Sequence, residues 1–169
     1  MEPPLLDQLG PEGTLSAGVR PQDLGLTGGV IHYSEDNLVA LQGPWTPRLE
    51  TGMWGLFRFQ YLTAAQDAPA EINFRLPIRE AGKYAVSLRY VPRGHHASNA
   101  RIRVVHAAGD DAQTWNMQRG HRHGFDVKIG EYRFDPDQPA TVTISNRGAD
   151  GLVVADSVSY VKIRTEDQP

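Results

Sequence analysis

From Lys83 to Val91 the chain alternates with a period of two: Tyr84, Val86, Leu88 and Tyr90 stand against Lys83, Ala85, Ser87 and Arg89. Such a stretch can place one set of side chains in a core and the other in water only as a β-strand. Ala70–Leu76 repeats the pattern, with Ile72, Phe74 and Leu76 against Glu71, Asn73 and Arg75. Pro77 then closes the strand, because proline has no N–H to give to a ladder. The same reading predicts strands from Val30 and at Arg101–His106, Thr114–Gln118, Val127–Phe134, Thr141–Ser145 and Leu152–Ile163. Turn signals separate them at Gly109-Asp110-Asp111, Asp135-Pro136-Asp137 and Arg147-Gly148-Ala149-Asp150-Gly151, all residues that tolerate tight geometry. No stretch keeps a helical period over three turns, which disfavours a doubly wound sheet and its nucleotide sites. Short strands at regular spacing predict an all-β antiparallel sandwich or barrel.

The chain has 169 residues, enough for one domain with a substantial core. Residues 1–29 are rich in Pro, Gly, Leu and Asp without a period, and read as a tail or interdomain connector. Residues 30–164 form the expected sandwich, and 165–169 a C-terminal tail. A net charge of −3 gives no general attraction to phosphate backbones, so no nucleic-acid partner is expected. There is no cysteine, which removes disulfides, thiolate nucleophiles and Cys-ligated zinc. No apolar run approaches the roughly 18 residues of a membrane span, so no membrane partner is expected. The N-terminus has no basic or apolar leader; a signal for a secreted parent would lie upstream, and the chain is expected to be a fragment.

The order of several short motifs points further: Gly43-Pro44-Trp45 after an N-terminal strand, Ala81-Gly82-Lys83-Tyr84, Ala97-Ser98-Asn99-Ala100, Gln118-Arg119, Ile129-Gly130-Glu131-Tyr132-Arg133-Phe134, and Asn146 to Asp156 reading NRGADGLVVAD. From about Val30 to Ile163 the chain resembles the golvesin/xanthan-lyase C-terminal carbohydrate-binding-like domain. It departs from that pattern at Tyr33-Ser34-Glu35-Asp36, at Met117 and at Asp156-Ser157-Val158. The resemblance implies a galactose-binding-like antiparallel β-sandwich of jelly-roll type. It also implies a non-catalytic accessory module, appended to bacterial polysaccharide lyases or FAD-dependent oxidoreductases in an extracellular or periplasmic setting. Its expected ligand is a polysaccharide or other glycan. The alternative is a structural domain that packs on a catalytic partner without glycan affinity.

Sugar recognition needs apolar platforms for pyranose faces beside planar polar groups that pair with hydroxyls. Trp45, Trp54, Tyr61 and Trp115 are the candidate platforms, and His95, His96, Asn99, Arg101, Gln118 and Arg119 the polar partners. The plainer alternatives are packing for Trp45 and Trp54 and turn bracing for Asn99. Residues 93–103 (RGHHASNARIR) and 119–123 (RGHRH) read as two basic loops. If they converge they suit an acidic polysaccharide, since arginine grips carboxylates in two-point fashion. His121, His123, His95, His96 and His106 lack the spacing of zinc hydrolases. The resemblance allows a structural Ca²⁺, with Glu35, Asp36 and Asp156 as its oxygens, although Asp156 could equally brace loop N–H groups. No other cofactor is expected. Ser98, Ser145 and Ser157 lie in no nucleophile elbow, and Gly28-Gly29 is no dinucleotide fingerprint, so no catalytic residue is assigned.

Overall fold

Alternating burial along the strands builds the molecule. In β6 (Gly82–Arg89), Tyr84, Val86 and Leu88 are buried, as are Ile72 and Phe74 in β5 (Glu71–Arg75). Each such side chain contributes roughly 1.5–3 kcal/mol by leaving water. The computed structural model describes residues 20–52, 57–120 and 126–164. A 3₁₀ turn, Pro21–Leu24, leads into β1 (Gly28–His32), and Leu24 is buried. Then come β2 (Val39–Gln42), β3 (Thr46–Gly52) and β4 (Phe57–Ala64), followed by β5 and β6. After them come β7 (Ala100–His106), β8 (Gly109–Trp115), β9 (Val127–Phe134), β10 (Thr141–Ser145), β11 (Val153–Ala155) and β12 (Ser157–Lys162).

All pairings between these strands are antiparallel. One sheet has the order β1-β12-β6-β9, a second β2-β5-β10-β7-β8, and a small third β11-β4-β3. The fold is therefore an all-β antiparallel sandwich, as the period-two pattern predicts. Its core joins Val86, Leu88, Phe134, Val158 and Tyr160 of the first sheet to Ile72, Phe74, Ile102, Val104, Val142 and Ile144 of the second. Tyr61, Leu62 and Val153–Ala155 extend it into the third.

The strand expectations need three corrections. The strand expected at Thr114–Gln118 is only the end of β8, which stops at Trp115; beyond it the chain turns, and Asn116 Oδ1 accepts from Gln118 N–H at 3.0 Å. Gly109-Asp110-Asp111 is not a turn: the hairpin turns at Ala107-Ala108, and β8 runs from Gly109 to Trp115, closing with the pair His106–Gly109. The aspartates lie on an edge strand, where Asp110 meets Arg103 and Asp111 lies 3.2 Å from His106. The expected strand at Leu152–Ile163 is two strands. β11 pairs with β4, β12 pairs with β1 and β6, and Asp156 stands between them. At Asp156 the chain passes from the small sheet to the four-stranded one; its C=O accepts from Tyr33 N–H at 2.8 Å, and its buried carboxylate accepts from Ser157 Oγ at 2.7 Å. β3 and β4 are additions to the predicted set.

Candidate functional site

Three polar regions compete for a functional role. The first is the end of the sandwich formed by the loops after β6, β8 and β10. Here the backbone interlocks: Ala97 N–H donates to Leu152 C=O at 2.7 Å, Leu152 N–H to His95 C=O at 3.3 Å, and Met117 N–H to Ala97 C=O at 2.8 Å. This brings Trp115, Gln118, Arg119, Asn99, His95 and His96 to one end, but most of their polar atoms are already committed. Asn99 Nδ2 donates to Gly148 C=O at 3.0 Å, and its Oδ1 accepts from Asp150 N–H at 2.9 Å. Gln118 Nε2 donates to His96 C=O at 3.0 Å. The half-buried Trp115 donates from Nε1 to Tyr90 Oη at 2.9 Å, and that hydroxyl donates on to Arg119 C=O. His96 is 2% exposed with Nδ1 unpartnered, and burial drives its pKa down to about 4. The imidazole is therefore neutral at pH 7. Asp150 accepts from the N–H and hydroxyl of Ser98, which hold its carboxyl below the usual range. At this end the geometry shows bracing; His95 and the Arg119 side chain remain exposed.

The other platform candidates are also structural in their contacts. Trp45 is half-buried and donates to the carbonyls of Gln42 and Glu71, at 3.1 and 3.2 Å. Tyr61 is buried and donates to Glu50 at 2.8 Å. Trp54, His121, Arg122 and His123 lie outside the described residues.

The second region is the outward face of the five-stranded sheet. Arg101 and Arg103, which fall in both the expected strand Arg101–His106 and the basic stretch 93–103, belong to β7 and point away from the core, since the alternating Ala100, Ile102 and Val104 are buried. On neighbouring strands Thr143, Ser145 and Thr114 share this face. The cross-strand rows are Ser145 and Thr114 beside Arg101, and Thr143 beside Arg103. With Arg147, Gln113 and Glu71 they line a groove of about 500 Å³. Arg103 is ion-paired with Asp110. Among the described residues the guanidinium groups of Arg101 and Arg147 have no acidic partner within 4.0 Å. Of this set only Arg101 was singled out from the sequence. The outward alternation Thr141-Thr143-Ser145 in β10 was the available signal.

The third region gathers around Asp156. Arg89 Nε donates to Asp126 Oδ1 at 2.8 Å, while Arg89 Nη2 and Asp126 Oδ2 are buried without a hydrogen-bond partner. Burial pushes the carboxyls of both Asp126 and Asp156 upward. His32 Nε2 lies 3.6 Å from Asp156, and Ser34 Oγ 2.7 Å from His32 Nδ1. In space Ser34, His32 and Asp156 follow the order of a Ser–His–Asp relay, but the arrangement is local bracing. The same Nδ1 also accepts Ser34's own N–H at 3.3 Å, and 3.6 Å is too long for a hydrogen bond to Asp156. The expected cation oxygens do not gather. Glu35 accepts His32 N–H at 3.2 Å, Asp36 is exposed in the turn, and Asp156 is buried. Among the described residues no three His, Asp or Glu side chains stand close enough to hold a metal ion.

Comparison with known proteins accords with this architecture. The family model described as Golvesin C-terminal domain matches residues 30–162. A solved structure of xanthan lyase from Paenibacillus is similar with a TM-score of 0.71 at 21% identity, over 83% of this chain and 13% of that one. The chain thus spans a small part of the lyase, and at that identity the likeness speaks for the fold. The enzymatically active domain of tailspike protein 4 from bacteriophage CBA120 gives a TM-score of 0.34 at 13% identity, over 73% and 18% of the two chains, too slight to argue from. No curated protein matches the chain in sequence.

Proposed function

This chain belongs to the golvesin C-terminal domain family, whose domains are non-catalytic accessory modules, and from that premise we propose that it binds acidic polysaccharide for a tethered enzyme. The binding surface is the outward face of the five-stranded sheet. One observation carries this reading: Arg101 and Arg147 line an open groove, with Glu71 in its lining but no acidic partner within 4.0 Å of either guanidinium among the described residues, beside the hydroxyls of Thr143, Ser145 and Thr114. A guanidinium offers a uronate or pyruvate carboxylate two parallel N–H donors, and threonine and serine hydroxyls can both give to and accept from sugar hydroxyls. Among the described residues the groove lining has no aromatic platform, so single contacts are weak, and ionic strength weakens them further. Weak binding is sufficient for a module joined to an enzyme, because the linkage raises the local concentration of polymer at the catalytic domain.

The test is affinity electrophoresis and calorimetry of this chain on xanthan, polygalacturonate and a neutral glucan. The expected result is saturable, salt-sensitive binding to the acidic polymers, lost in the Arg101→Ala/Arg147→Ala double variant. Equal binding to the neutral glucan, or binding unchanged in that variant, would overturn the assignment of ligand and face.

A further inference from the structure

The groove on the five-stranded sheet does not end at Arg147. A second cavity, about 390 Å³, adjoins it, and Glu71, Ser145 and Arg147 line both. The strand register explains the continuity. Gln42 stands opposite Glu71, Glu71 opposite Ser145, Ser145 opposite Arg101 and Arg101 opposite Thr114, so one row crosses all five strands. Opposed residues share a face, and every member of this row lines one cavity or the other. Gly148, in the second cavity, closes the junction: a Cβ there would lie 3.8 Å from Arg101 Nη2.

The two halves of this longer groove differ in charge. Over β7 and β8 stand Arg101 and Arg103, the latter paired with Asp110. Over β2 and the loop between β4 and β5 stand Glu71 and Asp67, both exposed, and among the described residues neither has a basic partner within 4.0 Å. Carboxylates accept hydrogen bonds from sugar hydroxyls, but they repel a carboxylate brought beside them. Glu71 and Arg101 are two strand spacings apart, roughly 10 Å, which is about the length of a disaccharide.

We propose that Glu71 sets the charge pattern the groove accepts: a ligand carboxylate sits at Arg101 and Arg147, and a neutral sugar lies over Glu71. Polysaccharides whose acidic residues are separated by neutral ones are therefore bound in preference to unbroken polyuronates. This rests on the glycan reading of the groove and adds a specificity-determining residue to it. An unbroken polyuronate that seats one carboxylate on the arginines must bring another over Glu71. At roughly 5 Å in water that repulsion weakens binding about threefold, and salt reduces the difference.

The experiment varies carboxylate density on one backbone. Calorimetry compares polygalacturonate with the same polymer randomly methyl-esterified at about half of its carboxyls, at equal concentrations of free carboxylate and low salt. Wild type should bind the esterified polymer about twofold more tightly, because many of its carboxylates have neutral neighbours. Glu71→Gln should strengthen binding of the fully charged polymer about threefold and remove the preference. The Glu71 carboxylate makes no hydrogen bond or ion pair among the described residues, so the exchange leaves the fold intact. Asp137→Asn takes the same charge from an exposed turn after β9 and should leave the preference as in wild type. A wild-type preference for the fully charged polymer, a preference that survives Glu71→Gln, or an equal change in Asp137→Asn would overturn the role of Glu71 and leave the glycan reading standing. Failure of wild type to bind either polymer would overturn both.

Discussion

Replacing Asn146 by alanine should destabilise the fold by about 3 kcal/mol. Asn146 is buried at the end of β10, where its Nδ2 donates to the carbonyls of Ala65 and Ala68 at 2.7 and 2.8 Å and its Oδ1 accepts from Ala70 N–H at 2.8 Å. One side chain thus satisfies three backbone groups in the loop between β4 and β5. Each such bond is worth about 1 kcal/mol net, and leaving its partner unsatisfied in a buried place makes the loss hard to recover. For a domain of this size, about 3 kcal/mol corresponds to a fall in Tm of about 6–12 °C. Asn146→Asp should be worse near neutrality, because it sets a carboxylate oxygen against two carbonyl oxygens. It should recover partly in acid, when a protonated carboxyl can donate to one of them. Urea unfolding followed by circular dichroism measures both, with an unchanged m-value as the sign that only stability has moved. A loss under about 1 kcal/mol for Asn146→Ala, or an aspartate variant as stable as wild type at pH 7, would refute this account of the loop.

Three further outcomes follow from contacts elsewhere. His96 titrates at about 4 when folded against about 6.5 when unfolded, so its contribution to stability is complete above about 6.5 and declines as pH falls towards 4, by up to about 3 kcal/mol. His96→Gln should lack that part of the pH dependence, and parallel stability profiles for variant and wild type would count against it. Gly43 has φ +81°, and a Cβ there would lie 2.1 Å from Pro69 C=O, so Gly43→Ala should cost about 2 kcal/mol or more by thermal unfolding. An unchanged Tm would contradict that reading. Tyr90→Phe removes both the acceptor of the Trp115 N–H and the donor to Arg119 C=O, and should lower stability by about 1–2 kcal/mol in urea, whereas a neutral result would mean that neither bond matters.

Much of the sandwich is legible in the order of residues, because burial on one face imposes a period that few other constraints disturb. β6 and β5 are the clearest cases, with Tyr84, Val86, Leu88, Ile72 and Phe74 all inward. β4 carries a comparable alternation, Phe57, Phe59, Tyr61 and Thr63, which was open to the same reading. The division at Asp156 is not legible, since nothing in Val154-Ala155-Asp156-Ser157-Val158 shows that the chain will pass there from the small sheet to the four-stranded one. The candidate site divides in the same way. Asn99, Trp115 and Gln118 are candidates by residue type, and the sequence leaves open whether their loops converge; the structure sets them at one end of the sandwich. Whether an amide is free for a ligand depends on which carbonyl lies within 3 Å, and that is decided by tertiary register. Arg101 shows the converse: the period-two pattern puts it in the strand Arg101–His106 while the charge pattern puts it in the stretch 93–103, and its place in β7 sets it on a sheet face, away from the loop cluster.

The position of β12 bears on how the molecule comes into being. This strand, formed from one of the last described stretches of sequence, lies inside its sheet with β1 on one side and β6 on the other. During synthesis β1 emerges before β12 and waits, without the strand it pairs with among the described residues, while the ten strands between them are made. The sheet can close only when Ser157–Lys162 arrives, which ties folding to a late, long-range event and favours slow closure. A ribosome stalled just before Ser157 would hold a nascent chain with β1 and one side of β6 both exposed, open to pairing with a neighbouring nascent chain.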